Sequence, residues 1–424
     1  MTKVIEQIKA KEIERGKEKR NIPKLRFRRF EDNWVNYKFG NITKKTGIKN
    51  KEDKPYAVYS ISNKYGFVPQ NEQFEGSRLE NLDKKSYKIV NNNEFSYNPA
   101  RINVGSIGLL EEKKSVIVSS LYVCFKMNEY MNSVFFKVYF NTNIFNKNVL
   151  RNVEGGVRDY LFYENFSNIK VNVPSLQEQK KIADFFSLVD KKIEKQSEKV
   201  EALKTYQKGI MQKIFKQEIR FKDENGREYP EWEEKRLGDI GKTYTGLSGK
   251  TKEDFETGNA KYITYMNVFK NIKIKSELID IVDIKDNENQ NKVLEGDLLF
   301  TTSSETAEEV GMVSLCDKYI ENLYLNSFCF GFRIKNLKIN SNFIVYYLRS
   351  PKIRKKISIL AQGSTRYNLS KNELMKLAIE IPCIEEQTQI ATFLCTIDER
   401  MDKEEKKLEV LKVWKKGLLQ KMFI

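Results

Sequence analysis

The chain contains no histidine. That gap removes Ser-His and Cys-His nucleophile pairs, histidine general bases and histidine metal ligands together. The five cysteines, Cys124, Cys316, Cys329, Cys383 and Cys395, form no C-x-x-C pair and no disulfide framework, which fits a reducing cytoplasmic setting. Gly246-Leu-Ser-Gly249-Lys250-Thr251 imitates the end of a phosphate-binding loop. The motif needs a glycine five residues before Gly249, and Tyr244 stands there. Acidic groups such as Glu111-Glu112 read as solvated surface on a chain so rich in charge. No catalytic residue, metal or cofactor is implied.

A second near-match is Asn98-Pro99-Ala100-Arg101, which brushes the Asn-Pro-Pro-aromatic motif of adenine methyltransferases. The second proline and the aromatic are missing, and no G-x-G-x-x-G supports a cofactor fold. The charge points elsewhere: 75 Lys plus Arg against 58 Asp plus Glu leave a formal +17. Such an excess favours a polyanionic partner, nucleic acid ahead of an anionic membrane surface, although a lysine-rich proteome would produce it too. The first 30 residues hold eleven basic side chains against four acidic ones. Val4, Ile5, Ile8 and Ile13 could stripe a short helix there as far as Arg20, ahead of Pro23; a floppy basic arm is the competing reading. No secretory signal and no apolar run long enough to span a bilayer is present, so a cytoplasmic chain is expected.

The elements that would position any reader occur twice. Pro174-Ser-Leu-Gln-Glu-Gln-Lys-Lys-Ile-Ala-Asp-Phe-Phe returns as Pro382-Cys-Ile-Glu-Glu-Gln-Thr-Gln-Ile-Ala-Thr-Phe-Leu, 208 positions on. At that offset Gly155-x-x-Arg158-x-x-Leu161 matches Gly363-x-x-Arg366-x-x-Leu369, and Asn132-Ser133 matches Asn340-Ser341. Trp34, Gly40 and Ile42 correspond to Trp232, Gly238 and Ile240. A period this long is a repeated domain and not a solenoid. The middles, 43–127 and 241–335, align poorly, yet both read as short strands with polar turns, for example Tyr262-Ile-Thr-Tyr-Met266 and Asp297-Leu-Leu-Phe-Thr-Thr302. One fold carrying two different recognition surfaces is the expectation. Helical segments then follow over 135–151 and 343–360, the second broken at Pro351.

From Glu178 to Phe215 the apolar positions step by alternating fours and threes, through Ile182, Phe186, Val189, Ile193, Val200, Leu203, Ile210 and Ile214. Gln196 and Gln207 fill two slots of the same stripe; Glu404 and Lys415 fill the matching slots in copy two. Five unbroken heptads predict a coiled-coil helix about 57 Å long in each copy. Two such seams in one chain most simply cover each other in an antiparallel pair, which relates the halves by a pseudo-twofold axis. The expected fold is α+β. A basic extension (1–22) precedes a first recognition domain (23–173), a central long helix (174–215), a second recognition domain (216–381) and a C-terminal long helix (382–424).

Taken together, the Pro-x-x-x-Glu-Gln helix starts, the Ile-Ala-x-Phe that follows and the Gly-Ile-Met-Gln-Lys-Ile-Phe and Gly-Leu-Leu-Gln-Lys-Met-Phe endings resemble the specificity subunit of type I restriction–modification enzymes. Gly363-Ser-Thr-Arg-Tyr-Asn-Leu-Ser370 is similar to that family's loop before the last strand. The resemblance runs from Pro23 to Ile424; the basic 1–22 extension and Gly155-Gly-Val-Arg158-Asp-Tyr depart from it. It implies a non-catalytic DNA reader of a bipartite duplex site, with long helices acting as a ruler and docking two methyltransferase subunits, and restriction subunits joining the full complex. Arg158 and Arg366, at equivalent loops, then grip phosphate or a groove, or else close structural salt bridges. In the middles the candidate readers are Arg101 and Asn103, then Asn267, Ser303, Ser304 and Glu305, because Arg-to-guanine and Asn-to-adenine pairs discriminate bases best. Two other readings stand beside this one: a coiled-coil adaptor without sequence readout, and a chain that itself methylates or cuts DNA, which lacks its motifs.

Overall fold

The computed structural model describes residues 21–70, 83–154 and 159–424. The short helix expected before Arg20 lies outside the described residues. The chain forms two compact units: residues 1–196 with 407–424, and residues 197–406.

In unit one, Trp34 leads into strand Val35–Lys38, which pairs antiparallel with Lys170–Val173, the strand that ends at Pro174. A one-turn helix, Phe39–Ile42, feeds a four-stranded antiparallel sheet ordered Thr43–Thr46, Val123–Met127, Phe95–Tyr97, Ile107–Leu109. Unit two repeats each step. Glu233–Arg236 pairs with Ala378–Ile381, and helix Leu237–Ile240 follows. The sheet is then ordered Gly241–Thr245, Cys329–Ile334, Leu298–Thr301, Val313–Leu315. The middles therefore share one sheet although their sequences align poorly. Even an internal detail recurs: Phe95 stacks on its cross-strand partner Phe125 at 5.0 Å, and Phe300 on Phe330 at 5.1 Å. Around this sheet the units differ. Unit one adds hairpin Tyr59–Ser62/Gly66–Pro69, whereas unit two adds the nine-residue strand Phe255–Ile263 between Ile279–Val282 and Leu323–Leu325.

Two expectations need correction. The segment 135–151 is not one helix: Ser133–Tyr139 and Asn143–Asn152 are separate, with no proline between them. Thr142 makes the break, its hydroxyl donating to the Tyr139 carbonyl at 2.7 Å and accepting from Phe145 N at 3.2 Å. That is ordinary capping chemistry inside an apolar run. The strand expected over 262–266 stops at Ile263, and Thr264 caps a helix spanning Tyr265–Lys270.

The recurring Pro-x-x-x-Glu-Gln is a clamp between domain and helix. Gln179 Oε1 accepts Asn132 N at 2.8 Å while its Nε2 donates to the Pro174 carbonyl at 2.9 Å. Asn132 in turn caps the next helix through Phe135 N at 2.9 Å. Gln387 does the same with Asn340 N (2.9 Å) and the Pro382 carbonyl (2.8 Å), and Asn340 caps through Phe343 N at 3.2 Å. The preceding glutamate holds the opening segment. Glu178 receives a two-pronged bond from Arg26, at 2.8 and 2.7 Å; Glu386 binds Arg220 at 2.9 Å and the Trp232 indole N–H at 3.2 Å. Both glutamates are fully buried, so each needs its guanidinium.

The long helices run Leu176–Phe215 and Ile384–Met422, 40 and 39 residues without a break. Within unit one they pair antiparallel, with Phe186 against Phe423 and Asp190 bonded to Lys415 at 2.5 Å. Within unit two Lys199 meets Glu404 at 3.1 Å, and the Gln207 amide donates to Asp398. The polar seam slots Gln207, Glu404 and Lys415 thus hold cross-helix partners, the devices that fix register in such seams. Each unit's core also takes in a helix end: Phe423 packs on Phe135 (5.4 Å) in unit one, as Phe215 packs on Tyr347 (5.3 Å) in unit two.

Candidate nucleic-acid interface

Asn267 aside, the sequence candidates of both middles fall on one topological feature, the connection between the third and fourth strands of the shared sheet. In unit one that connection is 98–106. Arg101 is exposed at the head of a single 3-10 turn, Ile102–Val104, and Asn103 is half-buried within it. Among the described residues the Arg101 side chain meets no ion-pair or hydrogen-bond partner. In unit two the connection is 302–312 and carries Ser303, Ser304 and Glu305. The residue three places after each Gly-x-x-Arg motif bonds to it in the same way: Leu161 N donates to the Pro99 carbonyl at 3.1 Å, and Leu369 N to the Thr302 carbonyl at 2.9 Å. Arg158 itself lies outside the described residues.

In unit two these pieces enclose a cleft of about 490 Å³. One wall is the Tyr265–Lys270 helix, which presents Met266 and the stacked rings of Tyr265 and Phe269, 5.8 Å apart. Tyr265 is fastened by its hydroxyl, which donates to the Ser303 carbonyl at 2.7 Å, and burial pushes its pKa up. The floor is the short strand Ser303–Ser304, paired with Tyr367–Leu369. Ser303 and Ser304 are buried, and the Ser304 hydroxyl donates to Glu309 at 3.3 Å. Thr306 also donates to Glu309, at 3.1 Å. Glu305 stands exposed beside them, with no partner among the described residues.

The last wall is the tip of the hairpin formed by Ala361–Gln362 and Tyr367–Leu369, which carries Thr365 and Arg366. Gly363 opens this turn at φ 129°, where a Cβ would come within 2.1 Å of the Arg366 carbonyl, so glycine is required. Arg366 is exposed, its guanidinium 5.7 Å from the exposed Phe328 ring. Neither salt bridge nor hydrogen bond ties it to a described residue. The salt bridge that the structural reading of this arginine requires is therefore not formed among the described residues.

Two half-buried arginines from the helices behind the cleft hold its walls. Arg349 donates to the carbonyls of Val313 (2.5 Å), Val268 (3.1 Å), Phe269 (3.3 Å) and Asn271 (2.7 Å), so it seizes the C-terminal end of the aromatic helix. Arg354 donates to the carbonyls of Glu308 (2.8 Å), Val310 (2.5 Å) and Gly311 (2.7 Å), in the loop that bears Glu309. Burial lowers both guanidinium pKa values to about 10, still far above neutrality, so both are charged and their charge is dispersed over carbonyl dipoles.

Asn267 is corrected. It is wholly buried, its amide donating to the Lys275 and Leu278 carbonyls at 2.8 and 3.1 Å and accepting from Lys275 N at 2.9 Å. It closes the 265–278 loop and has no free edge for a base. Lys250, from the phosphate-loop imitation, is an almost buried partner of Glu288 at 2.5 Å. Sequence reasoning missed Tyr265, Phe269, Phe328, Arg349 and Arg354. The i, i+4 spacing of Tyr265 and Phe269 after a capping threonine was the available signal, masked by a β-rich run.

The family model described as "Type I restriction modification DNA specificity domain" matches twice, over residues 31–204 and 229–413. The MjaVIII type I restriction enzyme specificity subunit of Methanocaldococcus jannaschii is 24% identical over 408 residues, covering 94% of each chain. The putative MjaX specificity subunit of the same organism is 22% identical over 351 residues, 78% of this chain and 77% of that one. Among solved structures, a chain from work on complex assembly and conformational transition of the type I R-M system aligns over 93% of this chain and 98% of its own, at 15% identity and TM-score 0.57. The type I restriction-modification S subunit from M. genitalium aligns over 95% and 99%, at 14% identity and TM-score 0.56.

Proposed function

The chain belongs to the type I restriction–modification DNA specificity family, and on that premise we propose that it reads a bipartite duplex, one half-site per unit. The observation that carries this reading is the shared sheet: the same strand connection bears the candidate readers in both units, with unlike residues on it. Arg101 and Asn103 occupy it in unit one; Ser303, Ser304 and Glu305 occupy it in unit two, beside Arg366. Arg158 is proposed to act in unit one as Arg366 does in unit two. The middles thus read unlike words on a common frame, and the net charge of +17 suits the phosphate backbone.

The long helices serve as spacer and as docking surface for two methyltransferase subunits, with restriction subunits completing the endonuclease. Their unbroken length supports the spacer role, and charged residues such as Lys191, Lys192, Lys406 and Lys407 line their outer faces. Bond-making and bond-breaking fall to the partners in a cytoplasmic complex; this chain supplies recognition.

Competition binding tests the reading. With methyltransferase subunits present, affinity for duplex falls steeply with salt, and cognate competitor displaces the chain at far lower concentration than scrambled duplex. Equal displacement by all duplexes removes the proposed readout.

A further inference from the structure

The cleft of unit two has a donor–acceptor pattern specific enough to name its target, given the DNA-reading role proposed above. Glu305 offers carboxylate oxygens, which only accept, while Arg366 offers a guanidinium fork, which only donates. Both are exposed on walls of one cleft, and neither is spent on an ion pair or hydrogen bond with a described residue. Glu309, by contrast, is already engaged by Ser304 and Thr306. The site is also built in advance: Arg349 and Arg354 hold two walls from behind, and Gly363 sets the turn that presents Arg366.

We infer that this cleft reads one cytosine·guanine pair of the half-site, the Glu305 carboxylate accepting from the cytosine N4 amino group and Arg366 donating to guanine N7 and O6. In the major groove only cytosine and adenine present an amino donor. Adenine sets its N7 acceptor beside that amino group, which repels a carboxylate, whereas cytosine has a C–H at the corresponding position. Thymine shows Glu305 an acceptor and is rejected outright. The guanine of the same pair presents two adjacent acceptors, which match the guanidinium fork. The apolar wall of Met266, Tyr265 and Phe269 keeps bulk water from one side of the contact, which strengthens charge-assisted bonds.

The test uses the complete complex of this chain with its methyltransferase subunits. Duplexes carry the preferred site with every base pair of one half changed in turn, and binding is read by anisotropy competition. Wild type should prefer C·G at one position of unit two's half-site by roughly five- to hundredfold over the other pairs. Glu305→Gln should move that preference toward A·T, because a glutamine amide pairs with adenine N6 and N7. Arg366→Ala should flatten discrimination at the same position and leave unit one's half-site untouched. The inference is overturned if Glu305→Gln leaves every base preference unchanged while wild type still discriminates. It is equally overturned if Arg366→Ala weakens all sequences alike and lowers the salt slope by about one, the mark of a phosphate contact. A wild-type complex that discriminates in neither half contradicts the family-based reading and not the assignment of this cleft alone.

Discussion

At the scale of single residues, burial separates readers from braces. Asn267 and Arg366 both looked like readers in the sequence, since amide and guanidinium groups are the usual base contacts. The fold buries the first among backbone partners and leaves the second at a hairpin tip. Residue type announces the chemistry; only the tertiary surroundings say whether it is already used. Arg349 illustrates the converse, because nothing in its sequence context marks it as the brace of the aromatic helix. Arg349→Ala removes four carbonyl contacts from a half-buried site, and we expect a loss of about 3 kcal/mol in the stability of unit two, measured by denaturant unfolding. Gly363→Ala should act differently. The left-handed turn is strained and Arg366 displaced, so DNA affinity falls at least tenfold while the unfolding free energy drops by about 1–3 kcal/mol. A large stability loss with unchanged binding would contradict that placement.

At the scale of elements, the recurring motifs were legible because each of their residues performs an invariant mechanical task. The glutamine caps a cap, the glutamate holds an arginine, and the proline ends a strand. The middles were not legible in detail. Their strands run three to six residues in most cases, too short for periodicity to show, and order within a sheet is a non-local property. Glu386→Ala should cost about 3 kcal/mol, since it strands the Trp232 N–H and takes the buried carboxylate from Arg220, which keeps Glu231 and the Tyr229 and Pro230 carbonyls. Glu178→Ala, which takes both side-chain bonds from Arg26, should cost at least as much; a clearly smaller effect in a thermal melt would contradict the geometry. Asp398 provides a pH signature. Burial first of all raises its pKa above the ordinary 3.8, against the bonds donated by Tyr346 and Gln207. The folded state therefore binds this proton more tightly than the unfolded chain. Its stabilising contribution is present below the unfolded value and is lost as pH rises through the raised one. Unfolding of unit two should show stability declining with pH from about 4 upward through this group, a slope that Asp398→Asn removes.

At the scale of the whole molecule, the repeat is a repeat of frame and sheet with unlike contents. The sequence pattern showed the frame twice, while the equivalence of the middles appeared only once strand order and the Phe95–Phe125 and Phe300–Phe330 stacks were compared. The C-terminal residues belong to unit one, whose core they enter through Phe423. Phe423→Ala should therefore destabilise unit one by about 3–5 kcal/mol, seen as lost hydrogen-exchange protection around Trp34 and Phe135. Inserting one heptad into both long helices should change the preferred spacer between half-sites and neither half; an unchanged spacer contradicts their role as a ruler. The central claim, two independent readers on one frame, is tested most directly by mapping the methylated positions produced by the complex before and after residues 43–153 are replaced with the corresponding segment of another family member. The account predicts that one half-site changes while the other half and the spacer stay the same. A change in both halves, or in neither, would contradict it.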